Sequence, residues 1–180
     1  MKIVVIYESK YGTTKKYAEW IADALSCDLF ERKSIAPSKL ADYDTIIYGG
    51  GLYAGGVSGI GLLTKNFNMI CEKHIVLFTC GLADPTDLEN VSHIREGLSK
   101  ILSKEMQEKI KVFHLRGGID YSKLHFIHKS MMAMLHTMMK KKDYDSLRNE
   151  DKEMLATYGQ AVDFTDKESI SPIIAYVEKL

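Results

Sequence analysis

Residues 3–14 read Ile3-Val4-Val5-Ile6-Tyr7-Glu8-Ser9-Lys10-Tyr11-Gly12-Thr13-Thr14. The first five are continuously apolar and mostly β-branched, as a parallel strand buried on both faces requires. Next comes a short polar loop with the hydroxyls of Ser9, Thr13 and Thr14 and one glycine for a tight turn. It runs straight into a segment whose apolar residues Tyr17, Ile21, Ala24 and Leu25 recur at helical spacing, with Thr13 and Thr14 as N-cap candidates. A strand, a tight loop and the free N–H groups of a helix N-terminus are the parts of a phosphate cradle. The loop has neither G-x-x-x-x-G-K-[ST] nor G-x-G-x-x-G, so a single terminal monophosphate fits better than a P-loop nucleotide or a dinucleotide. An ordinary Ser/Thr-rich N-cap is the alternative reading.

Strand-like apolar runs return at residues 45–48, 74–79 and 111–115, with a weaker one at 28–31, each separated from the next by room for a helix. Val91, Ile94, Leu98, Ile101 and Leu102 mark a second amphipathic helix after Asp84-Pro85-Thr86-Asp87, and residues 60–70 a third, interrupted by Gly61. Alternating strand and helix predict an α/β fold: a doubly wound, five-stranded parallel sheet with helices on both faces, residues 1–180 forming a single domain. Beyond it lies a helical extension: a Met-rich helix over 122–142, a turn at Asp143-Tyr144-Asp145, a helix over 150–158 and a last helix. Ser171 and Pro172 suit the N-cap and first position of that last helix, with Ile173, Ile174, Val177 and Leu180 on its inner face.

The 180 residues are 46% hydrophobic and 27% charged, the balance of an ordinary globular protein, which excludes disorder and fibrous structure. Lys plus Arg and Asp plus Glu number 24 each, so the chain lacks the basic excess of a nucleic-acid binder. Cys27, Cys71 and Cys80 are odd in number and form no C-x-x-C pair, and the N-terminus enters a strand with no signal-peptide core. Both features point to a reduced, cytoplasmic protein. No apolar run approaches the roughly 20 residues needed to cross a bilayer, so membrane contact is expected to be peripheral, at the inner face.

In an open parallel sheet the ligand crevice lies beyond the carboxyl ends of the strands. After the third strand comes Gly49-Gly50-Gly51-Leu52-Tyr53-Ala54-Gly55-Gly56, five glycines in eight residues, which lets bare backbone approach a flat ligand. The loop Thr79-Cys80-Gly81-Leu82-Ala83-Asp84 leaves the fourth strand at the same edge. Three such loops together describe a phosphate site beside a slot for a planar ring.

The opening segment resembles the flavodoxin-type domains, whose phosphate loop follows a strand with a Ser/Thr-x-x-Gly-x-Thr pattern, met here by Ser9, Gly12 and Thr14. The resemblance runs to about Leu115. It implies the strand order 2-1-3-4-5 and the cofactor FMN, with its phosphate on Ser9, Lys10, Tyr11, Gly12, Thr13 and Thr14. The isoalloxazine ring would lie between Gly51, Leu52, Tyr53, Ala54 and Gly55 on one side and Thr79, Cys80, Gly81 and Leu82 on the other. Within that family the chain is similar to the flavodoxin-like protoporphyrinogen dehydrogenases that pass electrons to quinone. Their Gly-x-x-x-Tyr stretch is resembled by Gly49 to Tyr53, and their aromatic and basic segment by Gly117-Gly118-Ile119-Asp120-Tyr121 and the residues after it. That similarity implies an oxidoreductase with a quinone-like or porphyrinogen-like small molecule, or a redox protein, as partner, and no side-chain nucleophile or acid–base pair. A non-enzymatic electron carrier and a cofactor-free interaction module are the alternatives. Electron-carrying flavodoxins are typically acidic and often stack an aromatic from the third loop on the flavin, whereas this chain is neutral and offers Cys80 and Leu82.

From 121 to 142 there are five lysines, three histidines and five of the nine methionines, with no acidic residue. At 100° per residue His125, Lys129, His136 and Lys140 form one stripe, opposite a broad face of Leu124, Ile127, Met131, Met134, Leu135 and Met138. Phe126, Met132 and Met139 border the basic stripe. One reading packs the Met face on the sheet. The other makes this an interfacial helix drawn to anionic lipid, or a lid over a substrate. His125, His128 and His136 lack the spacing and companions of a metal site, and no metal is expected. His74, His93 and His114 read as structural, and Cys80 as a packing residue.

Overall fold

The computed structural model describes residues 1–53 and 55–180. Its sheet is built from β1 (Ile3–Glu8), β2 (Asp28–Glu31), β3 (Thr45–Tyr53), β5 (His74–Gly81) and β6 (Ile110–Arg116), all parallel, in the order β2-β1-β3-β5-β6. With the short hairpin strand β4 (Gly56–Val57), which pairs antiparallel with β3, set aside, this is the doubly wound sheet read from the sequence, in the strand order that the flavodoxin resemblance implies. The helices are α1 (Thr13–Leu25), α2 (Gly61–Lys65), α3 (Phe67–Ile70), α4 (Leu88–Ser99), α5 (Lys104–Lys109), α6 (Phe126–Lys140), α7 (Asn149–Thr157) and α8 (Ser171–Val177).

The two-residue period of a strand divides the core. Val4, Ile6, Ile46, Tyr48, Ile75 and Leu77 face one layer with Leu62, Leu63, Phe67 and Leu98. Val5, Ile47, Val76 and Phe78 face the other with Tyr17, Ala18, Ile21, Ile173 and Val177. Burial on both sides explains why these strands carry no polar alternation.

Several local expectations change. The N-cap of α1 is Gly12, with φ +98°, while Thr13 and Thr14 are the first helical residues; Ala22 turns inward, and Ala24 is exposed. The segment 60–70 breaks at Asn66, whose side-chain amide donates to the Leu62 carbonyl at 2.8 Å and competes with the helical ladder. Ser171 is the first residue of α8 and not its cap, because a 3₁₀ turn (Lys167–Ile170) runs directly into the helix; Asp166 caps that turn by accepting from the Glu168 N–H. Leu180 lies past the helix and is exposed.

The extension also holds an antiparallel pair that no hydrophobic pattern announced. It joins β7 (Gly118–Asp120) to β8 (Ala161–Asp163), and a side chain at Gly118 would run into the Val162 carbonyl. Tyr17 fastens this part to the sheet: its hydroxyl donates to the Arg116 carbonyl at 2.7 Å and accepts from the Asp166 N–H at 3.1 Å. Lys16 adds bonds to Asp163 and Thr165. Among the described residues no helix is long and apolar enough to cross a membrane.

Candidate functional site

The carboxyl ends of β1, β3, β5 and β6 meet the start of α1 around a cavity of about 530 Å³, within the size range of small-molecule sites. The loop between β1 and α1 forms one end. Ser9 Oγ accepts from the Gly12 N–H at 3.0 Å, and the left-handed Gly12 turns the chain so that the first helical bond, Lys16 N–H to the Gly12 carbonyl, closes at 3.0 Å. The N–H groups of the first turn have no intrahelical acceptor by the geometry of any helix. Thr13 and Thr14 bring two hydroxyls to the same end, and both line the cavity with Lys10 and Tyr11.

Bare backbone shapes the walls. A Cβ on Gly117 would lie 2.8 Å from Cys80 Sγ and 3.1 Å from Thr13 Oγ1; one on Gly81 would lie 2.9 Å from Leu52 Cδ1, and one on Gly51 2.7 Å from the Tyr53 ring. The glycine-rich stretch is not a loop as read from sequence. Gly49, Gly50 and Gly51 lie within β3, because its register against β1 and β5 continues through them.

Of the residues picked out from sequence, Lys10, Tyr11, Thr13, Thr14, Gly51, Leu52, Tyr53, Cys80, Gly81 and Leu82 line this cavity. Ser9 and Gly12 shape its loop. Gly55 lines a neighbouring cleft instead, and Ala54 lies outside the described residues. Thr79 is fully buried and shares a 2.7 Å hydrogen bond with His114 Nδ1, away from the cavity lining. Sequence reasoning missed Gly117, Gly118, Ile119 and the inner row of α6. The adjacent glycines just past β6 were the one available signal.

That inner row is His128, Met132 and Leu135, spaced i, i+4, i+7, which lines the cavity where α6 crosses it. His128 Nδ1 and Tyr11 Oη share a hydrogen bond. The imidazole also stacks near the Tyr53 ring, with centroids 6.0 Å apart and 18° between planes, and Lys10 Nζ sits 4.5 Å from the Tyr53 centroid. Further along, His136 stacks on Tyr158 at 3.8 Å. His125 and His128 both lie near the Tyr11 ring, with centroids 6.4 and 5.9 Å away, and among the described residues no group of three or more His, Cys, Asp or Glu has metal-binding geometry.

Electrostatically the lining holds one ammonium, Lys10, and among the described residues no carboxylate. Burial pushes the Cys80 thiol up, against the lowering effect of its bonds to Thr13 and Thr14, so it stays a neutral thiol. Burial, with Tyr11 nearby, pushes the Tyr53 phenol up to about 12. A neutral, largely apolar slot next to an amide- and hydroxyl-rich helix start suits an anionic phosphate attached to a flat ring system, and the residues present fit FMN.

Beside this cavity a second cleft of about 580 Å³ shares Leu52, Tyr53, Gly81, Leu82 and Met132 with it. Its far wall is α7, fastened by Glu150 to His93 at 2.9 Å and by Asn149 to Asp87 at 2.6 Å. At the junction Arg116 donates to the Leu82 carbonyl at 3.2 Å, pairs with Asp84 at 3.1 Å and Glu153 at 2.9 Å, and lies 4.1 Å from the Phe164 ring centroid.

Among known proteins, the chain is 36% identical over 56 residues to an uncharacterized protein of Methanocaldococcus jannaschii, a match covering 31% of this chain and 37% of that one. The chain thus matches well under half the length of that relative. Among solved structures it is similar to flavodoxin 2 from Bacillus cereus, at 17% identity with full coverage of both chains and a TM-score of 0.43. It is also similar to a Trp repressor binding protein from Bacillus subtilis, at 16% identity, 64% and 83% coverage and a TM-score of 0.45. Residues 4–146 match the family described as Flavodoxin domain. That span takes in the loop between β1 and α1, the β3 and β5 strand ends and α6, and the chain belongs to the flavodoxin-domain family.

Proposed function

We propose that this cavity holds FMN and that the protein is an FMN-dependent oxidoreductase of the protoporphyrinogen dehydrogenase type, passing electrons from a reduced ring-bearing substrate to a quinone or another acceptor. The observation that carries the reading is the lining itself: one ammonium, no carboxylate among the described residues, a helix start rich in hydroxyls, and glycines wherever a side chain would intrude.

Bound there, FMN supplies the electron or hydride transfer. The protein's residues bind, orient and exclude water. Thr13, Thr14 and the first N–H groups of α1 would take the phosphate oxygens, with Lys10 as countercharge. Leu52 and Tyr53 on one strand end, and Gly81 and Leu82 on the other, would hold the ring edges. Cys80 and Tyr53 keep their protons at neutral pH and add no charge beside the ring. Two features favour an enzyme over a bare carrier: α6 crosses the cavity, and a second cleft opens beside it, large enough for a substrate.

The electron-carrier reading has its own support in the exposed apolar flank of α6, which a partner protein could cover. One set of measurements separates the readings. Protein incubated with FMN and freed of excess by gel filtration is expected to keep the flavin's visible bands, and T13V/T14V to weaken retention by removing two hydroxyl donors. Holoprotein is then expected to oxidise protoporphyrinogen with menaquinone as acceptor. Retention without that oxidation, with two well-separated one-electron steps in potentiometry, would favour the carrier. A protein that takes up no FMN would leave the fold as an interaction module.

A further inference from the structure

We infer that the outer flank of α6 is a docking surface for an anionic lipid bilayer. In most helices packed on a sheet the apolar row is covered. In α6 no residue is fully buried. Two apolar rows run along it. His128, Met132, Leu135 and Met139 form the half-buried inner row, and one residue round the helix Ile127, Met131, Met134 and Met138 form a second row with the same i, i+4, i+7, i+11 spacing. That second row faces out: Ile127 is 70% exposed, Met134 59%, Met138 50% and Met131 41%, with Phe126 at 84% at the start of the helix. From Ile127 to Met138 the row spans roughly 17 Å of the helix. Scattered exposed apolar residues need no explanation, but a contiguous row marks an interaction surface.

Charge identifies the occupant. Residues 121–142 carry five lysines and no carboxylate. Lys123 pairs with Asp120 at 3.1 Å, while Lys129, Lys140, Lys141 and Lys142 are exposed and take part in no ion pair among the described residues. A second copy docking through the same face would bring like charges together, whereas an anionic surface satisfies them. Lys129 lies on the other side of α6, but Lys140, Lys141 and Lys142 close the C-terminal end of the row just past Met138. Flexible Met side chains with Ile and Phe, ended by such a lysine run, are the pattern that seats a helix at the headgroup level of anionic lipid. Met131 and Met134 belong both to this row and to the cavity lining, so docking would set the cavity mouth against the bilayer. That last consequence, direct access for a lipid-soluble quinone, rests on the proposed function; lipid binding does not.

The test is co-sedimentation of the full chain, without added FMN, with phosphatidylcholine vesicles made with and without phosphatidylglycerol. The expected result is binding to the anionic vesicles, weakened by salt, and little to the neutral ones. K140Q/K141Q/K142Q and F126S/I127S/M138S, which change exposed side chains outside the cavity lining, are each expected to lower partitioning by at least about tenfold with unchanged far-UV circular dichroism. Equal binding to neutral vesicles, no binding to either, or variants that bind as well as the parent would overturn the inference. So would a concentration-dependent dimer in ultracentrifugation that F126S/I127S/M138S abolishes, which would assign the face to a second copy. Because no flavin enters the assay, its failure leaves the FMN reading standing.

Discussion

Gly12 and Gly117 are both glycines at the cavity, for different physical reasons. At Gly12 the backbone is left-handed, φ +98°, and nothing lies within 4 Å of where a Cβ would sit. At Gly117 the conformation is ordinary, but the Cβ position lies 2.8 Å from Cys80 Sγ and 3.1 Å from Thr13 Oγ1. Gly12→Ala is therefore expected to cost about 1–2 kcal/mol of stability through strain alone. Gly117→Ala should cost a similar amount through overpacking, about 1–3 kcal/mol, and should also narrow the slot. Urea unfolding and FMN titration of the two variants together check this. An FMN affinity left untouched by Gly117→Ala would mean that Gly117 does not wall the slot.

At the scale of elements, the loop after β5, α7 and the end of β6 are joined through Arg116. Its guanidinium is partly buried and meets a carbonyl and two carboxylates. The Thr86 backbone N–H and hydroxyl, and then Arg116, hold the Asp84 carboxyl below its usual range. Arg116→Ala removes all three contacts and strips the cation from Glu153, whose Oε2 is already buried and unpartnered. A loss of about 2 kcal/mol is expected, since bonds to charged groups are the stronger ones. The loss should come with faster amide exchange confined to residues 82–87 and α7. Arg116→Lys, keeping the charge but not the planar fork, should recover only part of it. Uniform loosening of the whole chain would show that Arg116 supports the global fold and not this junction.

For the molecule as a whole, acid stability follows from a histidine remote from the cavity. His114 bonds Thr79 through Nδ1, its Nε2 is buried without a partner, and burial pushes the imidazole down to about 4, Arg95 adding to the effect. The unfolded chain binds this proton with a pKa near about 6.5. The folded state thus holds fewer protons, and stability is complete above about pH 6.5 and falls as pH drops toward 4. The contribution changes by up to about 1.4 kcal/mol per pH unit in that window. His114→Gln is expected to flatten this part of the curve in urea unfolding at successive pH values, and an unchanged slope would show that other groups govern it.

The strands were legible because burial on both faces leaves unbroken runs such as Ile3 to Tyr7 in the sequence itself. The strand–turn–helix unit at the start of the chain was legible because its three parts succeed one another within twelve residues. The interruption of 60–70 at Asn66 and the displaced cap before Ser171 were not, since each depends on which local hydrogen bond wins. Neither was the pairing of β7 with β8, which joins residues more than forty apart through strands too short to show a period. The Met-rich segment shows the boundary most clearly. Its sequence determined that a helix with an apolar face and many lysines would form. Only the tertiary structure decided that the row turned inward is His128, Met132, Leu135 and Met139, because α6 crosses the strand ends and contacts the protein through a narrower face than a sheet would offer, leaving Ile127, Met131, Met134 and Met138 to solvent.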